Sequence, residues 1–207
     1  MSVNAAWYLT SLPEKIVEII EEDLNNFDSE FVTSKLYNDL IDTTVRNSTN
    51  TWIPSNHWVS GFLWHYVDKI NQENFCYDIK GIDCDNLQFT KYEVGQYYHW
   101  HQDSGLGELH KPIGTQGERN TDKLASDFVA NNSCVTRKLS FVLQLSDPFD
   151  YDGGQLQLLD DSNRTFFAPK HRGSVIVFDS RMKHRVKRVT RGLRKSVVGW
   201  AVGPRWR

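Results

Sequence analysis

Beyond residue 74 the chain changes its hydrophobic period. Up to that point apolar residues recur at helical spacing. After it they fall into short, alternating, β-rich runs broken by Gly, Asp, Asn and Pro. Runs near 75–80, 87–93, 96–103, 137–145, 154–159, 165–168, 173–178, 184–189 and 195–202 read as strands. Turns fall at "DPFDYDGG", "DDSNR" and "PKHRG", whose residues accept unusual backbone angles. Many short strands behind a helical layer leave few architectures. The expected class is α+β, mainly β: a jelly roll or barrel with N-terminal helices packed against one sheet.

Two helices are expected in the first part. "SLPEKIVEIIEEDLNNF" begins with Ser11 and Glu14 in capping-box spacing and Pro13 just inside the start. Ile16, Val17, Ile19, Ile20 and Leu24 make its apolar stripe. "NHWVSGFLWHYVDKINQEN" reads as a second helix that buries Trp58, Phe62, Leu63, Tyr66 and Ile70. His57 and His65 lie on it and read as capping or packing residues. A chain of 207 residues suits one domain, 1–207. Residues 1–74 form the helical layer of that domain and 75–207 the jelly-roll core. Residues 104–134 form a polar connection too long for an ordinary turn, and they read as a lid beside the motif they follow.

A net charge of −2 gives no global reason to expect nucleic acid, although residues 181–207 hold ten of the 24 Lys and Arg. "MSVNAAWYLTSLPEKI" lacks the basic region and apolar run of a secretory signal, and no run of 18 apolar residues suggests a membrane span. Cys76, Cys84 and Cys134 are odd in number and lack CxxC spacing, which fits free thiols in a reducing compartment. A soluble, cytoplasmic protein is expected.

Chemistry concentrates in "YYHWHQD", residues 97–103. On a regular strand Tyr97, His99, His101 and Asp103 share one face, so His99/His101 and His101/Asp103 are both candidate metal pairs. A third ligand must come from elsewhere. Two imidazoles and one carboxylate on one face of an octahedral ion leave three positions open, as in non-heme Fe(II) oxygenases. Catalytic zinc uses the same donors, but no HExxH helix supports it. Among the later histidines, His110 lies in the polar loop and His171 in the turn "PKHRG", and both read as solvated. His184 opens the alternating run "HRVKRV", sharing a face with Val186. Arg181, Lys183, Arg185 and Lys187 have the opposite phase and read as a solvated face.

These residues fall into three ordered blocks. "YEVGQYYHWHQD" contains Tyr92, Gly95, Tyr98, His101 and Asp103 in the pattern Tyr-x-x-Gly-x-x-Tyr-x-x-His-x-Asp. "RKLSFVLQLSDPFDYDGGQLQL" ends on Gly153, Gly154 and Leu156, and "HRVKRVTRGLRKSVVGW" carries His184 and Arg194. Together, over roughly residues 85–203, they resemble the prolyl 4-hydroxylase-like (PKHD-type) branch of the 2-oxoglutarate and Fe(II)-dependent dioxygenases. The resemblance implies a double-stranded β-helix with His101, Asp103 and His184 as iron ligands, Tyr98 setting the register. It implies that Arg194 pairs with the far carboxylate of 2-oxoglutarate and that Tyr92 helps hold it. Gln144 stands where relatives often carry another cosubstrate-contacting side chain. His99 becomes a bystander, packed or bonded to the backbone.

The resemblance further implies Fe(II), 2-oxoglutarate and O2, with ascorbate as an accessory. The reaction it implies is hydroxylation of a C–H bond with formation of succinate and CO2. A prolyl or other side chain of a peptide or protein is the expected substrate. A small molecule or nucleobase is the alternative, and a non-catalytic metal-binding module the third reading. Nucleic acid and membrane partners are not expected.

Overall fold

The computed structural model describes residues 5–9, 13–27, 30–35, 41–54, 56–83, 86–105, 109–110 and 134–206. In chain order its strands are β1 Ala5–Leu9, β2 Val32–Thr33, β3 Arg46–Asn47, β4 Thr49–Pro54, β5 Gly81–Ile82, β6 Asn86–Tyr92, β7 Tyr97–His101 and β8 Val135–Gln144. They continue with β9 Asp152–Gly153, β10 Leu156–Leu159, β11 Thr165–Phe167, β12 Ser174–Asp179, β13 His184–Val186, β14 Val189–Arg191 and β15 Arg194–Pro204. The helices are α1 Glu14–Asn25 and α2 Trp58–Ile70, the latter running into a π-helical turn, Asn71–Phe75. A larger sheet has the order β1-β12-β8-β15-β6-β4-β2, with β5 on β15. A five-stranded sheet has the order β11-β10-β13-β7-β3, and β14 and β9 form a separate pair.

The larger sheet is buried on both faces, and its registers show how. Leu143 and Val197 sit opposite each other, as do Val177 and Phe141. They pack with Val17, Ile20 and Leu24 of α1 and Val59, Leu63, Val67 and Ile70 of α2 in one apolar cluster. The alternate residues Val142, Ile176 and Phe178 pack instead with Leu156 and Leu158 of the smaller sheet. Two periodic faces on one strand, each with its own cover, leave β8 buried along nearly its whole length. This is the jelly roll with helices against one sheet that the sequence leads one to expect.

The N-terminal 74 residues are more than a helical layer. They supply β1 at one edge of the larger sheet, β4 beside β6, and β3 at the edge of the smaller sheet. These segments are too short or too irregular to show period-2 alternation. Residues 76–80, expected as part of a strand, carry no regular structure, because the π-turn ends at Cys76 with a left-handed backbone (φ 54). The expected strand 184–189 is split in two, β13 and β14. Pro13 occupies the N-cap of α1, and Ser11 and most of loop 104–134 lie outside the described residues.

The stripe on α2 keeps Leu63 and Ile70 of the expected set but takes Val59 and Val67 in place of Trp58 and Tyr66. Val59, Leu63, Val67 and Ile70 are fully buried, while Trp58 is 44% exposed. Trp58, Phe62 and Tyr66 run edge to face along the flank of the helix, with centroids 6.2 and 5.2 Å apart. Ile19 of α1 is likewise exposed. His57 caps α2, accepting from the Val59 N–H, and its Nε2 lies 3.2 Å from Asp23, while His65 is exposed. α1 is tied to the larger sheet by charge as well. Glu21 accepts from Arg172 at 2.6 Å and from Lys195 of β15 at 2.8 Å. Burial pushes the Glu21 carboxyl up, but these two cations outweigh it and hold the group below its ordinary range.

The burial difference predicts an order of effects in urea denaturation. Leu63→Ala removes a fully enclosed side chain and costs about 2–5 kcal/mol. Trp58→Ala costs less, although it deletes the larger group.

Candidate active site

The registers place the candidate residues before any side chain is considered. On β15 and its neighbours, Arg194 lies opposite Tyr92, and Ser196 lies opposite both Thr90 and Gln144. These share the face of Val142 and Ser140, the face that meets the smaller sheet. On the smaller sheet His184 lies opposite His101 and Val186 opposite Tyr98. Three steps along β7 therefore match two along β13, which is a β-bulge.

The bulge corrects the expectation of strict alternation. It turns Tyr98 and His101 to one side, their rings stacked at 3.5 Å and 17°. His99 is exposed and lies against Tyr97, with ring centroids 4.9 Å apart. Its contribution to the site is its carbonyl. Asp103 follows the end of β7, where its own N–H and that of Ser104 donate to the Ser180 carbonyl at 2.9 and 3.0 Å.

His101, Asp103 and His184 offer ligand atoms that all lie within 4.8 Å of one another. His101 Nε2 is 3.6 Å from Asp103 Oδ1, and His184 Nε2 is 3.4 Å from Asp103 Oδ2. Each imidazole points Nδ1 at a backbone carbonyl: His99 O at 2.7 Å for His101, and Met182 O at 3.0 Å for His184. A carbonyl only accepts, so Nδ1 carries the proton and Nε2 turns its lone pair to the centre of the cluster. Burial and the neighbouring His184 push His101 down to about 3, so the ring is neutral at neutral pH. Burial works to raise the Asp103 carboxyl. His184, His101, Arg137 and the Ser140 hydroxyl, which donates at 2.7 Å, act the other way and hold it ionised. Two imidazoles and one carboxylate converging on one point are a donor set for a divalent metal.

Arg194 is 1% exposed and has no carboxylate within 4 Å among the described residues. Its two terminal nitrogens donate to Gln144 Oε1 at 3.0 Å and Ser196 Oγ at 3.2 Å, and Nε has no partner. The Tyr92 ring lies 5.5 Å from the guanidinium, and Tyr151 lies beside it. Burial pushes the Tyr151 phenol up, against the pull of that cation. A buried cation with only neutral partners is costly unless an anion completes it. Gln144 also donates to Pro169 O at 3.1 Å, so its amide is fixed on both sides. Sequence reasoning misses Tyr151, whose place in "DPFDYDGG" reads as turn chemistry alone.

Other expectations are sorted by burial. His171 is exposed. His110, expected to be solvated, is 3% exposed, with Nδ1 3.7 Å from Asp83, itself held by Arg137 at 2.6 Å. Arg181, Lys183 and Lys187 are exposed and Arg185 half-buried, while the intervening Met182, His184 and Val186 are buried.

The model of the 2OG-Fe(II) oxygenase superfamily matches residues 87–202. The chain is 32% identical over 115 residues to a PKHD-type hydroxylase of Gloeothece citriformis, and 34% identical over 114 residues to one of Thermosynechococcus vestitus. Those stretches are 56% and 55% of this chain but only 41% of each relative, so the chain spans about two fifths of their length. In fold it is similar to a Pseudomonas putida prolyl-4-hydroxylase (TM-score 0.70, 19% identity, 98% of this chain and 94% of that one). It is also similar to a Trichoplax adhaerens prolyl hydroxylase in complex with a hypoxia inducible factor peptide fragment (TM-score 0.69, 18% identity, 96% and 83%).

Gly154 shows why the Gly-Gly turn sits beside this site. It has φ +61, and a Cβ there would lie 3.1 Å from Arg194 Cδ and 3.2 Å from Tyr151. Gly95 has φ +89 with nothing within 4 Å. Both alanine variants carry the left-handed penalty of about 1–2 kcal/mol. Gly154→Ala adds the contact with the guanidinium stem, so chemical denaturation should show the greater loss for Gly154→Ala.

Proposed function

From the premise that the chain belongs to the 2OG-Fe(II) oxygenase superfamily, we propose that it is a dioxygenase that hydroxylates a C–H bond, on a prolyl or other side chain of a peptide or protein. The observation that carries this reading is the pairing of a His-Asp-His cluster with a buried arginine that meets no carboxylate among the described residues, on the inner faces of two opposed sheets. A structural metal site has no use for the second element. We assign His101, Asp103 and His184 to iron, Arg194 with Tyr92 and Gln144 to the far carboxylate of 2-oxoglutarate, and residues 1–207 to one domain. Ascorbate belongs to the proposal as an accessory reductant.

Iron, 2-oxoglutarate and O2 supply the oxidising chemistry, which ends in succinate, CO2 and one oxygen atom inserted into the substrate. The chain supplies the rest. The His99 and Met182 carbonyls hold each imidazole in the tautomer that donates from Nε2, and Ser140 holds the carboxylate. Arg194 presents two parallel N–H edges that suit a carboxylate better than a lysine ammonium does. Ser196 and Gln144 keep that fork in place. Val142, Ile176 and Phe178, on the same sheet face, help exclude water from the space between the sheets.

The likeness in fold to the Trichoplax prolyl hydroxylase, which is in complex with a peptide fragment, favours peptide over small-molecule substrates. The test is anaerobic loading with Fe(II) and 2-oxoglutarate, then admission of O2 and measurement of succinate with and without peptide mixtures. Succinate together with a mass gain of one oxygen on peptides is expected. No succinate under any condition overturns the oxygenase, and succinate without peptide oxidation overturns the substrate class. Arg194→Ala leaves the cosubstrate charge unpaired, a loss of about 3–5 kcal/mol or roughly a hundredfold to thousandfold in 2-oxoglutarate affinity by titration. Unchanged affinity removes that assignment.

A further inference from the structure

Arg46 lies outside the stretch matched by the family model and belongs to none of the three sequence blocks. It sits on β3, opposite Tyr98 of β7, and is 7% exposed. Its guanidinium carbon lies 4.8 Å from the centre of the Tyr98 ring. The same ring stacks on His101, parallel within 17° at 3.5 Å. The phenol is thus in contact with both the cation and an imidazole of the metal cluster.

The cation is held by several hydrogen bonds and, among the described residues, without a counter-ion. Nε donates to Ser48 Oγ at 3.1 Å, one terminal nitrogen to Gln88 Oε1 at 2.8 Å and the other to the Lys35 carbonyl at 3.4 Å. Gln88 lies on β6 of the larger sheet, so Arg46 bridges the two sheets across the edge of the cavity. Ser48 in turn donates to Ser34 at 2.8 Å. Every acceptor is neutral, and no carboxylate lies within 4 Å among the described residues. A buried arginine costs less when paired with a carboxylate than when held only by neutral acceptors. An apolar residue of similar length would fill the space at still lower cost, so stability does not explain the charge.

We infer that Arg46 and Tyr98 are positioning residues that clamp the ring plane of His101 and impose a positive field on it. The inference rests on the assignment of His101 to the metal. The Nδ1–carbonyl bond fixes one atom of the ring but leaves rotation about that anchor. The stack removes this freedom, because a tilted imidazole would have to displace a phenol that the guanidinium also holds. The field acts in a second way. A fixed cation beyond the ring disfavours added positive charge on the metal side, so it favours the ferrous over the ferric ion.

Cobalt(II), which is stable in air, serves as the probe in two measurements: its dissociation constant and its d–d absorption spectrum, which reports ligand geometry. Tyr98→Phe retains the stack and should match the wild type in both. Tyr98→Leu loses the planar partner and should bind cobalt about 10–100-fold more weakly, the usual effect of losing a residue that orients a ligand, with a changed spectrum. Arg46→Met should change the spectrum and lower the Fe(III)/Fe(II) potential, and Arg46→Lys should restore the potential. Circular dichroism of the metal-free variants, measured well below their unfolding midpoints, separates a lost clamp from a lost fold. Tyr98→Leu within twofold of the wild type and spectrally identical overturns the clamp. An unchanged potential in Arg46→Met overturns the field. A wild-type chain that takes up no cobalt overturns the metal assignment itself, a result distinct from either.

Discussion

The pairing of β13 with β7 is the constraint on which the site depends. His184 stands opposite His101, and two residues further along β13, Val186 stands opposite Tyr98, three residues back along β7. Side chains alternate with period two, so a regular ladder would place Tyr98 and His101 on opposite faces. The extra residue in β7 puts both on the inner face and sends His99 to solvent. It also fixes which carbonyl lies beneath the His101 ring. A slip of one residue would set Trp100 or Gln102 opposite His184 in place of His101 and break the facing carbonyl contacts. Sheet pairing rather than loop conformation therefore decides the donor set, and only Asp103 stands beyond a strand end.

The inner face of the larger sheet is divided. Toward β12 it is apolar, with Val142, Ile176 and Phe178 sealed against Leu156 and Leu158. Toward β6 it is polar, with Thr90, Ser196, Gln144 and Arg194 side by side in the ladder. All four are buried. Such a strip is tolerable because Arg194 donates to Ser196 and Gln144 while Thr90 donates to Gln88, and the exception, Arg194 Nε, marks where the set is incomplete. Arg46 adds a second buried cation near the same cavity. A fold selected for stability alone would not keep two such charges with no carboxylate beside them among the described residues.

Much of this is legible in the sequence, and what is not has physical causes. The distal block shows its alternation openly: Met182, His184 and Val186 face inward while Arg181, Lys183 and Lys187 face water. Spacing alone leaves two candidate pairs in "YYHWHQD", because a bulge leaves no mark in residue types. The stripe of α2 is misread at Val59 and Val67, since Trp58, Phe62 and Tyr66 outweigh them in apolar bulk yet lie along the flank. β1, β3 and β4 escape a reading by period because a two-residue strand has none and β4 reads as polar. His110 looks like a loop residue because the Asp83 and Arg137 that bury it lie 27 positions away on either side, at 83 and 137.

Strand β15 links chemistry to the N-terminal helix. Its successive residues look in opposite directions: Arg194 into the cavity, and Lys195 out to Glu21 of α1. The odd-numbered residues of β6 and β8, Leu87, Phe89, Phe141 and Leu143, complete their enclosure only beneath α1 and α2. A chain reduced to 87–202 would keep all three sequence blocks. It would lose the cover of its outer face, the partner of Lys195, and Arg46. The portion by which the chain is recognised in sequence is thus smaller than the portion that must fold for the site to exist. Drift in the first 54 residues can alter the setting of the His-Asp-His cluster without touching a single motif.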